Sequence, residues 1–104
     1  MNKQEFDRIL QERILIFDGA TGTNLQLHNP TVDDYAGKEG CTEILLETHP
    51  EWIEDLHASF FKAGCQVVET NSFGANRIVF AEYGLEDRVH EFNKKAAQLA
   101  KKVA

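Results

Sequence analysis

The spacing of apolar residues predicts helices separated by two short apolar runs. Phe6, Ile9 and Leu10 recur at helical spacing, and Asn2 stands three residues before Glu5, as in a capping box. The pattern therefore predicts a first helix that begins after Asn2 and continues to about residue 12.

The two apolar runs predict strands over 13–17 and 66–69. Each run is short and rich in branched or aromatic side chains, which is typical of strands buried on both faces of a parallel sheet. The stretch between them predicts a helix over 48–63, with Thr48 and Glu51 in capping-box register, Pro50 in the first turn and Gly64 at the end. A helix that connects two strands predicts parallel pairing and a right-handed crossover.

The remaining pattern predicts further helices over 73–83 and 86–104. Residues 23–47 are weakly patterned and predict a loop, with a short helical turn near 24–27 or 43–46. The order of elements predicts an α/β fold in which residues 1–104 form the first two βα units of something longer, because two strands give a parallel sheet little support.

Composition excludes several classes of protein. The chain has 104 residues, and its 42% hydrophobic and 27% charged content is that of a soluble globular domain. A net charge of −6 argues against a nucleic-acid partner and against anionic membranes. We expect a cytoplasmic protein with reduced thiols, because no signal peptide is present and two cysteines make no disulfide framework.

Polar residues follow both apolar runs, and they form the candidate site. The carboxyl ends of parallel strands meet at one edge of a sheet, where α/β proteins bind their ligands. We therefore expect one shared polar site. Its predicted members follow the first run (Asp18, Gly19, Ala20 and Thr21) or the second (Glu69 and Asn71).

These motifs, in this order, resemble those of the homocysteine S-methyltransferase family over nearly the whole chain. The matching stretches are Asp18-Gly19-Ala20-Thr21-Gly22-Thr23, Glu47-Thr48-His49-Pro50, His57-Ala58-Ser59-Phe60-Phe61-Lys62-Ala63-Gly64-Cys65 and Glu69-Thr70-Asn71-Ser72-Phe73-Gly74-Ala75. The resemblance implies a TIM-type (β/α)8 barrel that is incomplete in this chain. It also implies an enzyme that transfers a methyl group to the zinc-activated thiol of homocysteine, giving methionine.

The resemblance implies zinc and cobalamin as cofactors, and homocysteine and the remaining strands and domains of a parent enzyme as partners. The family holds zinc with three cysteines from late strands, and neither Cys41 nor Cys65 matches them. No catalytic or metal residue is therefore assigned, and the chain alone is expected to be inactive.

The methyl donor stays open between methylcobalamin, betaine and S-methylmethionine, with closeness of match favouring cobalamin. The alternative is a non-catalytic α/β module that binds an amino acid or self-associates.

Each candidate residue has a plainer interpretation. Asp18 would bind the ammonium of homocysteine or cap a loop, and the backbone of 19–21 would hold its carboxylate or form an ordinary turn. Residues 69–71 would line the pocket or cap a helix that starts at Ser72. Phe73 would be an apolar wall or a core aromatic, and His57 an ordinary, partly buried histidine.

Overall fold

The computed structural model describes all 104 residues, and helices contain 59% of them. None of these helices is long and apolar enough to cross a membrane. Three 3₁₀ turns, Gln26–His28, Thr42–Ile44 and Glu86–Arg88, accompany the α-helices. The α-helices are α1 (Lys3–Glu12), α2 (Gly22–Leu25), α3 (Leu45–Thr48), α4 (Pro50–Ala63), α5 (Arg77–Ala81) and α6 (Val89–Val103).

The predicted strands are absent, so the expected α/β fold of two βα units from a TIM-type barrel is wrong for this structure. Residues 13–17 and 66–69 meet only through one isolated parallel bridge between Phe17 and Val67. The Asp18 N–H donates to the Val67 carbonyl at 3.0 Å, and the Val67 N–H donates to the Ile16 carbonyl at 3.3 Å. The ladder extends no further, because no neighbouring strand or apolar layer covers the first run: Ile14 is 87% exposed.

Local capping signals were more reliable than strand signals. The capping box of α1 is confirmed, since the Asn2 side chain accepts the Glu5 N–H and the Glu5 carboxylate accepts the Asn2 N–H. Gly64 ends α4 in the left-handed conformation, as predicted. The predicted start of that helix at Thr48 is wrong, because Thr48 ends α3 and its hydroxyl donates back to the Ile44 carbonyl.

The two C-terminal helices differ from prediction in length. Helix α5 covers only part of the predicted 73–83, because the Asn76 side chain caps it by accepting the Val79 N–H at 3.0 Å. The predicted helix over 86–104 is a 3₁₀ turn followed by α6. In the weakly patterned segment, helical turns occur at both predicted places.

The core lies between α3, α4, α5 and α6, with Leu25 of α2 packed against it. At its centre, Phe80 and Phe92 are fully buried with their rings edge to face, at a centroid distance of 5.3 Å. Helix α1 buries none of its residues, so it adds little to this core. The core therefore fixes α4 and α6, and the segments connecting the helices are free to form a polar cleft.

The side chain of His49 connects the 31–37 segment to the start of α4. The ring of Trp52 stacks with the rings of His28 and His49, with centroid distances of 4.5 and 3.9 Å. His49 bonds the Asp34 carboxylate through Nε2 at 2.6 Å and the Glu51 carboxylate through Nδ1 at 2.8 Å. These contacts raise the pKa of His49, with the Glu51 hydrogen bond contributing most.

Candidate functional site

A cavity of about 330 Å³ lies where three segments between the longer helices meet. One segment follows the residue 14–17 run, the second is the turn before α3, and the third follows Val68. Its volume is at the small end of ligand pockets, and only one lining residue is apolar, so it suits a small polar ligand. The cavity is lined by Gly19, Thr21, Gly22, Thr42, Glu43, Glu69, Thr70, Asn71, Ser72 and Phe73.

Four of the six predicted site residues line this cavity: Gly19, Thr21, Glu69 and Asn71. Asp18 lies just behind the lining, because both oxygens of its carboxylate accept the Glu69 N–H at 3.1 Å. Ala20 is exposed and also lies outside the lining, and its carbonyl accepts the Asn24 side-chain amide at 2.6 Å. The structure thus brings the ends of both apolar runs together although neither run is a strand.

The turn after Asp18 offers backbone donors. The N–H groups of Gly19, Ala20 and Thr21 make no hydrogen bond within the chain. Gly19 and Thr21 themselves line the cavity. Successive free N–H groups in a turn are typical partners for a carboxylate or another anion.

Asn71 fixes one side of the cavity. It is 4% exposed, and its side-chain amide donates to the Thr42 carbonyl at 3.2 Å. This bond attaches the segment after Val68 to the turn before α3. No helix starts at Ser72, so residues 69–71 cap none there. Phe73 is fully exposed at the cavity rim, so its interpretation as a core aromatic is wrong.

Glu43 is the lining residue that sequence reasoning missed. It is 6% exposed, and its Oε1 accepts the Gly74 N–H at 2.7 Å. The Cys41 thiol lies 3.9 Å from Oε2. The available signal was an acid directly before the apolar stretch Ile44-Leu45-Leu46, because such an acid is either at the surface or buried with dedicated partners.

His57 is more deeply buried than predicted. It is fully buried on α4, and neither ring nitrogen has a hydrogen-bond partner. Burial lowers its pKa, while the charge of Asp18 acts in the opposite direction. The expected partly buried histidine is therefore wrong, and the side chain is a neutral member of the interior.

The chain brings together no group of three His, Cys, Asp or Glu side chains that could hold a metal ion. A zinc site needs three or four such ligands, so the residues present do not fit the zinc that the resemblance implies. Cys41 is buried, and burial raises the pKa of its thiol, which makes a thiolate ligand or nucleophile less accessible.

Comparison with known proteins identifies the family of this chain. Residues 15–104 match the model of the family described as homocysteine S-methyltransferase. The chain therefore belongs to the homocysteine S-methyltransferase family.

Two curated relatives are named methionine synthase. The one from Mycobacterium tuberculosis (strain ATCC 25618 / H37Rv) is 43% identical over 96 residues, which cover 92% of this chain and 8% of that protein. The one from Mycobacterium leprae (strain TN) is 38% identical over 107 aligned residues, covering 99% of this chain and 9% of that protein. The chain thus spans less than a tenth of the length of these relatives.

Proposed function

We propose that this chain forms part of the homocysteine-binding domain of a methionine synthase, a 5-methyltetrahydrofolate–homocysteine methyltransferase. Within it, the cavity holds the amino-acid end of homocysteine. The observation that carries the proposal is the meeting of free backbone donors at 19–21 with acidic side chains at 69 and 43 around one small polar cavity. An α-amino acid needs both, because it presents a carboxylate and an ammonium on one carbon.

In the proposed complex, the N–H groups of 19–21 bind the carboxylate of homocysteine. The ammonium lies on the acidic side, where Glu69 lines the cavity and Asp18 adds negative charge directly behind it. Asn71 attaches the segment that carries Glu69 to the turn that carries Glu43, through its bond to the Thr42 carbonyl. A hydrogen bond to a charged group contributes about 1.5–3 kcal/mol, so two such interactions account for recognition of a small ligand.

The proposal for this chain is substrate binding rather than methyl transfer. Zinc would activate the thiol, and cobalamin would carry the methyl group. Both are proposed for the parent enzyme, because the family resemblance implies them and the side chains here do not fit a metal. The non-catalytic alternative, a module that only binds an amino acid, predicts the same cavity contacts. The non-catalytic alternative differs in one respect: it predicts that the longer protein to which this chain belongs would also lack the zinc ligands.

Replacing Asp18 tests the ammonium side of this proposal. We expect Asp18→Asn to weaken binding of L-homocysteine by less than the about 1.5–3 kcal/mol of a direct hydrogen bond to a charged group, because Asp18 acts through its charge from behind the lining. Binding of 4-sulfanylbutanoate, which is homocysteine without the amino group, should be nearly unchanged. Calorimetric titration of both ligands into both proteins measures this difference.

Equal losses for the two ligands would show that Asp18 supports the loop through the Glu69 N–H and does not act on the ammonium. A folded wild-type chain that binds neither ligand would contradict the proposed function itself.

A further inference from the structure

Glu43 lines the same cavity from the turn before α3, and its carboxylate is buried there. It belongs to the turn before α3, which is held in place by the core residues Ile44 and Leu45. Its backbone is therefore anchored by neighbours in the hydrophobic core.

The burial of Glu43 is only partly compensated within the chain. Its Oε1 accepts the Gly74 N–H, but no Lys, Arg or His lies within ion-pair distance of either oxygen. The nearest group to Oε2 is the Cys41 thiol, a weak donor at 3.9 Å. Buried carboxylates normally have a cation or several strong donors, because desolvation of the charge is costly.

The 72–75 turn approaches the Glu43 carboxylate closely. A Cβ on Gly74 would lie 2.9 Å from Oε1 of Glu43, so the glycine leaves room for the carboxylate to reach the backbone. One oxygen is thus held by the backbone, and the other has no strong donor. A ligand cation in the cavity would supply the missing partner.

We propose that Glu43 is a specificity-determining residue that binds the ammonium group of the amino-acid substrate. This inference rests on the proposed function and adds a residue to it. The ammonium then lies between Glu43 and Glu69, two residues that line the cavity from different segments. The Glu43 carboxylate discriminates against ligands that lack a positive charge, because it would stay buried without a counter-ion when they bind.

The test is Glu43→Gln in the full 104-residue chain. Glutamine keeps an oxygen that accepts the Gly74 N–H but removes the charge. We expect L-homocysteine to bind at least tenfold more weakly, which corresponds to a loss of about 1.4 kcal/mol or more. Binding of 4-sulfanylbutanoate should change by less than about twofold. The matched control is Glu82→Gln, which removes one negative charge from an exposed position outside the cavity.

A structural role would give a different result. If Glu43 only supports the turn at Gly74, Glu43→Gln would weaken both ligands equally or leave both unchanged, and either result overturns the inference while the proposed function survives. If the wild-type chain binds neither ligand, the inference and the proposed function both fail.

A second measurement does not depend on folding of the variant. In wild-type protein with ¹³C-labelled glutamate side chains, L-homocysteine should shift the carboxyl resonance of Glu43, and 4-sulfanylbutanoate should leave it in place. The same shift with both ligands, or none with either, would overturn the role of Glu43 in ammonium binding.

Discussion

Glu43 and Gly74 depend on each other, because the carboxylate of one occupies the space that a side chain on the other would need. This pairing also explains why the candidate site was only partly predictable. Residues that follow an apolar run, such as Asp18 and Glu69, could be found from their position. Glu43 comes from a segment with weak periodicity, so only the folded structure shows that its side chain is buried and lines the cavity.

The pairing predicts that Gly74→Ala destabilises the protein. The new methyl group displaces the Glu43 carboxylate and leaves the buried Gly74 N–H without its acceptor, at a cost of about 1–3 kcal/mol. Gly22→Ala is the matched control, because a Cβ at Gly22 meets nothing within 4 Å and its backbone suits any residue. Urea unfolding followed by circular dichroism measures both. Equal stability of Gly74→Ala and the wild type would contradict the close approach.

Helices were easier to predict than extended segments, for a physical reason. The N-terminal cap of α1 and the C-terminal cap of α4 depend on residues within a few positions of each other, so Asn2, Glu5 and Gly64 carry their own signal. A strand depends on partners that the local sequence does not contain. The runs over 13–17 and 66–69 have strand-like composition, but they meet through a single bridge and form no sheet. The barrel prediction failed at that point.

The contact between the 31–37 segment and α4 predicts a specific dependence of stability on pH. His49 has a raised pKa, so its contribution is fully present below its unfolded value of 6.5 and is lost as pH rises through the folded value. Asp34 has a lowered pKa, mainly because it accepts the Thr31 N–H and then because of His49. Its contribution is present above its unfolded value of 3.8 and is lost as pH falls.

The contact should therefore stabilise the fold most between about pH 4 and pH 6.5. We expect His49→Gln to be less stable than the wild type at pH 5.5, with a difference that shrinks toward pH 8. His57, whose pKa is lowered, has the opposite effect on the pH dependence of stability. Both proteins contain it, so its effect cancels when the stability of the variant is subtracted from that of the wild type. The control is His90→Gln, an exposed histidine of α6. Parallel stability curves for the wild type and His49→Gln over this range would contradict the assignment.

The molecule as a whole leaves apolar side chains and backbone groups uncovered around residues 14–17. Ile14 is 87% exposed and Phe17 is 49% exposed, and the N–H and carbonyl groups of Leu15 and Phe17 make no hydrogen bond within the chain. Extended edges of this kind pair readily with other chains. We therefore predict that the isolated chain is marginally stable or self-associates through this segment.

Ile14→Lys tests this prediction, because lysine on an exposed edge opposes pairing. Sedimentation velocity should show concentration-dependent association of the wild type and weaker association of Ile14→Lys. Ile78→Lys, at an equally exposed position on α5, makes the same chemical change away from the edge and should leave association as it is. A cooperative wild-type monomer at all concentrations would argue against the prediction.

The central claim is that the cavity between the three segments binds the amino-acid end of homocysteine. The most direct measurement is a ¹H–¹⁵N NMR titration of the chain with L-homocysteine under reducing conditions. The account predicts saturable shifts at the amides of Gly19, Ala20 and Thr21, together with Glu69 and Gly74, and no comparable shift along α6. Absence of saturable shifts at residues 19–21, or shifts confined to another part of the surface, would contradict it.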